Sequence, residues 1–216
     1  MKALSRKHPR AIRWFHWINF PLLALMVWSG AMIYWANAVY HLGPLKMNPP
    51  QRVWEAFHLT FRLADGMAIH FAVLWLFAIN GILYVLYTIF SGAWRDLLPN
   101  RRSLIEAVQV TLHDLHLRRT PPPQGKYNAA QRISYSAIVV MGLGSLLSGI
   151  AIYKPVQFRW LAALFGGYSG ARFVHFWLTI GYVVFFVVHI AQVIRTGWNN
   201  FRAMVIGFEV TEAEDE

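Results

Sequence analysis

Residues 172–195 read RFVHFWLTIGYVVFFVVHIAQVIR, and 22 residues without a charge separate Arg172 from Arg195. A helix of this length crosses a bilayer core of about 30 Å. His175 and His189 lie inside the stretch. Their spacing places both rings on one side of a helix, within about 40° of each other and about 21 Å apart along its axis. Because ionisable side chains are unfavourable inside a membrane, they indicate a functional site. One helix therefore offers an imidazole near each membrane face.

The composition predicts an integral membrane protein. The chain has 216 residues, of which 56% are apolar and only 14% are charged. Its net charge of +10 does not indicate nucleic-acid binding, because the positive residues lie in short loops beside apolar spans. Cysteine is absent, which excludes disulfides, Cys-ligated iron–sulfur clusters, thiolate-ligated haem and a Cys nucleophile. Any metal must therefore be bound by His or oxygen ligands.

Four charge-free runs predict four transmembrane helices, at about 14–36, 67–90, 133–153 and 172–195. The fold class is an all-α membrane protein, a four-transmembrane-helix bundle, and residues 1–216 form a single domain. The chain shows no repeat with a period of 20–50 residues. The acidic end VTEAEDE, residues 210–216, is predicted to be disordered.

The distribution of Lys and Arg predicts the orientation. Five precede the first span, seven lie between the second and third, and two follow the fourth, against six on the opposite side. Because cytoplasmic loops carry the excess of basic residues, both termini are predicted to be cytoplasmic.

The first two helices each supply a further histidine. His16 lies about one turn in from the cytoplasmic face, and Gly30 shares its side of the helix fourteen residues later. Gly30 leaves room for a large planar ligand or permits close helix packing. His70 lies near the external face. His58, the competing candidate, precedes His70 by twelve residues. On a continuous helix it would lie about 120° round the axis from His70 and about 18 Å further from the membrane centre. His70 is therefore favoured as a ligand.

These histidines form two predicted layers, His16 with His189 and His70 with His175. Two neutral imidazoles on facing helices can ligate one haem iron from both sides. With both axial positions filled, the iron favours electron transfer over oxygen chemistry. A single histidine could instead hydrogen-bond between helices.

Arginines flank both layers and could pair with haem propionates. Arg13 and Arg132 lie at the cytoplasmic layer, and Arg62 and Arg172 at the external layer. Simple positive-inside flanking would not explain the outer pair. His113 and His116 are interpreted as solvated loop histidines, because neither a Cys nor a carboxylate cluster accompanies them.

The stretch Lys126-Tyr127-Asn128 opens the third helix at the predicted cytoplasmic face. A quinone in an apolar pocket needs hydrogen-bond donors and, for its reduction, protons from water. Tyr127 and Asn128 can donate such bonds. Alternatively, Asn128 caps the helix, since Asn is a favoured N-cap residue.

The chain resembles the four-helix di-haem cytochrome b subunits of formate dehydrogenases, nickel–iron hydrogenases and thiosulfate reductases, the prokaryotic cytochrome b561 group. The motifs that carry the resemblance are RWFHW at 13–17, AIHF at 68–71, KYNAAQ at 126–131 and RFVHF through VVHI at 172–190. The chain departs from the group in its long external segment 37–66 and in Ala130, a position that is often Gly in formate dehydrogenase subunits.

This resemblance implies two haem b groups, with His16 and His189 holding the cytoplasmic one and His70 and His175 the external one. It also implies a pocket for menaquinone or ubiquinone near Asn128. The expected partners are the lipid bilayer and a periplasmic oxidoreductase subunit of molybdoenzyme or hydrogenase type, and the expected location is the bacterial inner membrane.

Three functions follow from this sequence. The first is a subunit that passes electrons between the external enzyme and the quinone pool, with the partner docked on 37–66 and 154–171. The second is a stand-alone cytochrome that oxidises superoxide or another small external donor and reduces quinone, with external basic residues guiding the donor. The third is a proton or metal transporter lined by histidines, against which the lack of intramembrane carboxylates counts.

Overall fold

A computed structural model describes residues 2–36, 40–42, 45–47, 50–59, 62–114, 116–120 and 127–212. Lys126 lies outside these residues, as do residues 37–39, 43–44, 48–49 and 60–61 of the predicted external segment 37–66. The helices and strands are, in chain order, β1 Lys2–Arg6, α1 Arg10–Tyr34, β2 Tyr40–Leu42, β3 Leu45–Met47, α2 Gln51–Ala56, α3 Leu63–Phe90, α4 Trp94–Leu97, α5 Ser103–Asp114, α6 Ala129–Tyr153, α7 Arg159–Leu164, α8 Gly167–Thr196, α9 Trp198–Ile206 and β4 Phe208–Glu212.

Four of these helices, α1, α3, α6 and α8, are long and apolar enough to cross a membrane, which confirms the predicted class. Each begins four or five residues before the predicted span. The reason is that the predicted limits followed the charge-free core, whereas the helices extend through polar first turns. The start of α6 is fixed instead by Asn128, whose side chain accepts from the backbone N–H of Gln131 in a capping box.

The described chain separates into two compact units. The first unit comprises Met1–Ile82 with Val183–Glu216, and the second comprises Leu83–Tyr182. The first thus holds α1, most of α3 and the last part of α8. The second holds the end of α3, all of α6 and the first part of α8. The single-domain organisation stays a prediction.

In the first unit, the two ends of the chain form a small antiparallel sheet. Strand β1 pairs with β4 from Lys2 opposite Glu212 to Arg6 opposite Phe208. The prediction of disorder was therefore wrong for residues 210–212, while residues 213–216 lie outside the described part. The reason is that Phe208–Glu212 finds its hydrogen-bonding partner at the other end of the sequence. An ion pair of 2.6 Å between Lys7 and Glu209 supports this sheet.

Two further features fix α1 in the first unit. Asn80 of α3 is buried and donates its side-chain amide to the carbonyl of Phe15 across 3.2 Å. Trp17 donates its indole N–H to the carbonyl of Met204 in α9 across 3.1 Å. Just before α1, burial and the nearby charge of Lys7 lower the pKa of His8.

The long helices expose many large apolar side chains, as a protein embedded in lipid would. Trp75 and Phe90 of α3 are 67% and 84% exposed, and Ile194 of α8 is 75% exposed. These side chains would be unfavourable in water but match the hydrocarbon of a bilayer.

Candidate functional site

The first unit brings His16 of α1 and His189 of α8 together. Their ring centres are 6.0 Å apart, and the ring planes are inclined by 58°. Two imidazoles that bind one metal from opposite sides would have centres about 6 Å apart, since each metal–nitrogen bond is about 2 Å and each ring centre lies ~1 Å beyond the nitrogen. Within the described residues, the buried Nδ1 of His16 has no hydrogen-bond partner. This predicted pair therefore has the spacing of a shared metal site.

Aromatic rings surround that histidine pair. Phe185 stacks on His189 with 5.8 Å between ring centres and planes 8° apart. Trp17 meets His16 edge to face at 5.1 Å. Phe20, one turn after His16, stacks on Phe186, one turn before His189, with 5.9 Å between ring centres. The two imidazoles consequently lie in an aromatic, apolar setting that suits a flat cofactor.

His70 is held by a serine in the same unit. Its Nδ1 lies 2.9 Å from the hydroxyl oxygen of Ser29 in α1. Ser29 donates its own proton to the carbonyl of Leu25 across 2.7 Å. Because a hydroxyl has one proton, Ser29 can only accept from His70. The hydrogen-bond network thus assigns the proton to Nδ1 and leaves the lone pair of Nε2 for a metal.

His175 has the same arrangement in the second unit. Its Nδ1 lies 3.0 Å from the hydroxyl of Ser148 in α6, and Ser148 donates to the carbonyl of Gly144 across 2.7 Å. The backbone of Ser145 also hydrogen-bonds His175. His70 and His175 are therefore both held in the tautomer that a metal ligand needs.

A glycine lies against each of these rings. A Cβ built on Gly30 would lie 3.7 Å from Cε1 of His70, and one built on Gly149 would lie 3.3 Å from Cε1 of His175. The glycine at 30 was predicted to leave room for a planar ligand or to permit close packing. It lies beside His70, and the structure adds an equivalent glycine beside His175.

These matching sites belong to an internal repeat. Helices α1 and α6 are each 25 residues long and align at an offset of 119, which equates Arg13 with Arg132, and Ser29-Gly30 with Ser148-Gly149. Helices α3 and α8 align at an offset of 105, which equates His70-Phe71 with His175-Phe176. The predicted absence of a repeat concerned periods of 20–50 residues and so could not detect this longer one.

The repeat also explains how each serine reaches its histidine. One turn before His70, Gly66 packs so closely on α1 that a Cβ there would lie 2.8 Å from Cβ of Met32. In the second unit, the equivalents of Gly66 and Met32 are Ala171 and Ala151, which are fully buried in one cluster. A Gly opposite a Met and an Ala opposite an Ala both bring the two helix backbones close together.

The four flanking arginines have different surroundings. Arg13 donates Nη1 to the carbonyl of Val205 across 2.6 Å. The buried Nε atoms of Arg13 and Arg132 have no partner among the described residues. Arg62 pairs with Asp65 across 2.9 Å. Arg172 lies with its guanidinium 5.8 Å from the ring centre of Tyr168.

At the start of α6, Asn128 caps the helix. Its Oδ1 accepts from the N–H of Gln131 across 2.9 Å, and the Gln131 side chain accepts from the N–H of Asn128 across 3.0 Å. The capping interpretation is therefore confirmed, while quinone contact stays a prediction. Tyr127 meets Tyr135 edge to face with 5.4 Å between ring centres.

His58, the competing candidate, and the histidines at 113 and 116 have different surroundings. His58 is exposed in a turn after α2, with φ of 50°. His113 lies in the last turn of α5 beside Asp114 and is half-buried, so its interpretation as a solvated loop histidine was wrong, because the amphipathic helix extends through it. His116 follows α5 and is exposed, with φ of 60°. No cluster of three or more His, Cys, Asp or Glu that could hold a metal ion occurs within the described residues. Ser29 and Ser148 were missed in the sequence, although each follows a flanking arginine by sixteen residues.

Comparison with known proteins gives the family. The sequence model of the protein family described as prokaryotic cytochrome b561 matches residues 7–207 of this chain. A relative from Azospira oryzae, which carries the provisional name protein-methionine-sulfoxide reductase subunit YedZ1, is 34% identical over 193 residues that cover 89% of this chain and 92% of the relative. The chain therefore belongs to the prokaryotic cytochrome b561 family and is a membrane haem b electron-transfer protein of that type.

Proposed function

We propose that this chain is a di-haem cytochrome b that passes electrons between an external oxidoreductase subunit and the membrane quinone pool. The observation that supports it best is the pairing of His16 and His189 at 6.0 Å. Haem b, held by two such imidazoles, supplies one-electron transfer without an open coordination position.

The residues of the chain fit two such groups. His16 and His189 would hold one haem, and His70 and His175 the other. Ser29 and Ser148 orient the second pair by accepting from Nδ1. Gly30 and Gly149 would leave room at the ring edges.

Four arginines would pair with the negatively charged propionates of the haems. They are Arg13 and Arg132 at one layer and Arg62 and Arg172 at the other. The buried Nε atoms of Arg13 and Arg132 support this role, because a buried guanidinium N–H without a described partner can still donate to a carboxylate.

The quinone, menaquinone or ubiquinone, would bind near Tyr127 and Asn128. The capping box uses the side-chain oxygen Oδ1 of Asn128 as an acceptor. The side-chain nitrogen Nδ2 remains the donor that the quinone site would use. The start of a membrane helix is also close to water, which must supply protons.

The partner would be a redox enzyme subunit that docks on the segments 37–66 and 154–171, which are predicted to be external. The name of the Azospira relative, a subunit of a reductase that acts on oxidised methionine in proteins, favours a reductase over a hydrogenase as that partner. The chain would lie in the bacterial inner membrane with both termini in the cytoplasm, as its basic residues suggest.

Purification of the intact chain in mild detergent tests this proposal. We expect a visible spectrum of low-spin haem b with two haems per chain, oxidation or reduction by a soluble quinone analogue, and co-purification of a second subunit. One haem per chain would contradict the di-haem proposal. Full activity with superoxide in the absence of any second subunit would favour the stand-alone cytochrome instead.

A further inference from the structure

Helix α5 turns its apolar side away from the rest of its unit. The helix packs against α6 with Val110 buried, and Glu106 and His113 are half-buried on the same side. A surface helix in water has the reverse arrangement, so the outer side of α5 is expected to contact an apolar medium or partner. The exposed large apolar side chains share one arc of about 100° on that outer side. They are Leu104, Ile105, Val108 and Leu112, which are 72%, 64%, 59% and 38% exposed.

The contacts of α4 place the start of α5 near the boundary of the membrane. Ser136 of α6 donates its hydroxyl to the carbonyl of Leu97, the last residue of α4, across 3.2 Å. Ser136 lies eight residues after the N-cap of α6, which is about 12 Å along the helix. Large apolar side chains of α6 first become exposed at Val139, three residues further on. Leu97 therefore lies where the lipid-facing part of α6 begins, and α5 starts six residues after it.

The charges beside α5 indicate which apolar surface it meets. A surface whose exposed charges have one sign repels a second copy of itself and attracts a surface of opposite charge. The three carboxylates from 91 to 119, Asp96, Glu106 and Asp114, are half-buried. Among the residues of this stretch that the structure describes, every exposed charged side chain is an arginine, and these are Arg95, Arg101, Arg102 and Arg119. An anionic surface therefore fits this side of the molecule better than a second copy of the chain does.

We propose that α5 lies in the membrane interface and binds anionic phospholipids. Its outer apolar side chains lie among the acyl chains, as those of amphipathic interfacial helices do. Arg101 and Arg102, directly before the helix, and Arg95 bind the phosphate groups, because a guanidinium can donate two parallel hydrogen bonds to such oxygens. The guanidinium of Arg95 lies 4.9 Å from the ring centre of Trp94, and tryptophan is enriched where membrane meets water. The inference does not depend on the number of haems or on quinone.

Spin labels on the full chain in lipid vesicles test where α5 lies. Since the chain has no cysteine, one introduced Cys gives one labelled site. Ile105→Cys and Val108→Cys carry the label on the outer side of α5, in vesicles of equal parts phosphatidylcholine and phosphatidylglycerol. Val187→Cys, exposed in α8, is the reference for lipid, and Thr120→Cys, exposed beyond α5, is the reference for water. The measurement compares collision of each label with oxygen, which concentrates in lipid, and with a water-soluble nickel chelate.

We expect the labels at 105 and 108 to collide with oxygen in preference to nickel, as the label at 187 does. Their depth should be about 5–10 Å into the boundary between head groups and acyl chains. The label at 120 should show the opposite preference. The visible spectrum of each variant, recorded in the same vesicles, checks that the labelled protein keeps its haem.

The double variant Arg101→Gln with Arg102→Gln tests the arginines. Its matched control, Arg6→Gln with Arg10→Gln, removes the same charge from exposed positions near the start of the chain. The affinity for a fluorescent phosphatidylglycerol is titrated in mild detergent. It should fall about fivefold for each arginine removed beside α5, whereas the control should match the wild type.

Three results would overturn the proposal, and none of them bears on electron transfer. If nickel reaches the labels at 105 and 108 as readily as the label at 120, α5 lies in water. If both reagents are excluded from those labels, protein covers the helix, and magnetic coupling between labels on two chains would identify a second copy. If both double variants lose affinity for phosphatidylglycerol equally, or if neither loses it, the arginines beside α5 are not the lipid site.

Discussion

Ser29 and His70 stand 41 residues apart in the sequence, yet the hydroxyl of Ser29 accepts from Nδ1 of His70 across 2.9 Å. The proton of the hydroxyl is already committed to the carbonyl of Leu25, which fixes the direction of the bond. Ser148 and His175 repeat the arrangement at 3.0 Å. Each serine thus fixes the tautomer and the orientation of a proposed haem ligand.

Ser29→Ala and Ser148→Ala should perturb the same haem. His70 and His175 are proposed to share one iron, and loss of a hydrogen bond to a ligating histidine typically weakens metal affinity about 10–100-fold. We expect each variant to lower the occupancy or shift the potential of one haem component and to leave the other unchanged. Haem content and a potentiometric titration measure both effects.

Ser136→Ala is the matched control for these serines, because Ser136 also lies in α6 but donates to the carbonyl of Leu97. It should leave both haem components unchanged. If Ser29→Ala and Ser148→Ala perturb different haems, His70 and His175 do not share an iron.

Removal of single histidines should separate the two haems. His16→Ala and His189→Ala should each lose the same haem, because their rings form one pair. His70→Ala should lose the other. His58→Ala should keep both, since His58 is exposed in a turn. Haem stoichiometry and the spectrum of each purified variant give the answer, and loss of a haem in His58→Ala alone would contradict the assignment.

The sequence predicted the four membrane helices because each apolar run of about twenty residues without a charge is long enough to cross a bilayer and too apolar for a surface helix. The spacing of fourteen residues also predicted that His175 and His189 share one side of a helix. Of the two predicted pairs, the structure brings His16 and His189 together, with ring centres 6.0 Å apart, and the pairing of His70 with His175 stays a prediction. The sequence did not predict β4, since Phe208–Glu212 forms a strand only through its pairing with Lys2–Arg6.

The serines escaped prediction for a different reason. A serine in a membrane helix more often packs closely or hydrogen-bonds its own helix than orients a ligand. The role of Ser148 depends on His175, which lies in another helix, so no local pattern reveals it. The signal available in the sequence was the recurrence of Arg13 and Ser29-Gly30 as Arg132 and Ser148-Gly149, at a spacing far longer than that of common repeats.

The close approach of α3 to α1 predicts the effect of Gly66→Ala. The new Cβ would lie 2.8 Å from Cβ of Met32 and 3.2 Å from the carbonyl oxygen of Ser29. Such overpacking typically destabilises a protein by about 1–3 kcal/mol. It should also move His70 away from Ser29. Thermal unfolding, followed by loss of haem absorbance, should occur at a lower temperature.

The cost of Gly66→Ala should come from this close contact and not from the helix itself. Gly81→Ala, in the same helix, is the control, because a Cβ there meets nothing within 4 Å. That control should be neutral or stabilising by up to about 1 kcal/mol. Equal destabilisation by Gly66→Ala and Gly81→Ala would refute the packing argument.

The orientation of the chain is open to direct measurement. The excess of Lys and Arg predicts cytoplasmic termini, so a C-terminal reporter that is active only in the periplasm should be silent. The same reporter fused after residue 156, beyond the end of α6, should be active. The reverse pattern would exchange the faces proposed for the quinone and for the partner enzyme.

The last prediction concerns Asn128, which caps α6 and is also proposed to contact quinone. Asp caps a helix as well as Asn does, so Asn128→Asp should keep the fold and both haems. An ionised carboxylate, however, cannot donate to a quinone carbonyl. We therefore expect a raised KM for duroquinol at unchanged haem content, measured in vesicles. Asn128→Ala is the comparison, since it removes the cap as well and should destabilise the helix by about 1 kcal/mol. A normal KM in Asn128→Asp would make Asn128 a cap alone and leave Tyr127 as the proposed contact for the quinone.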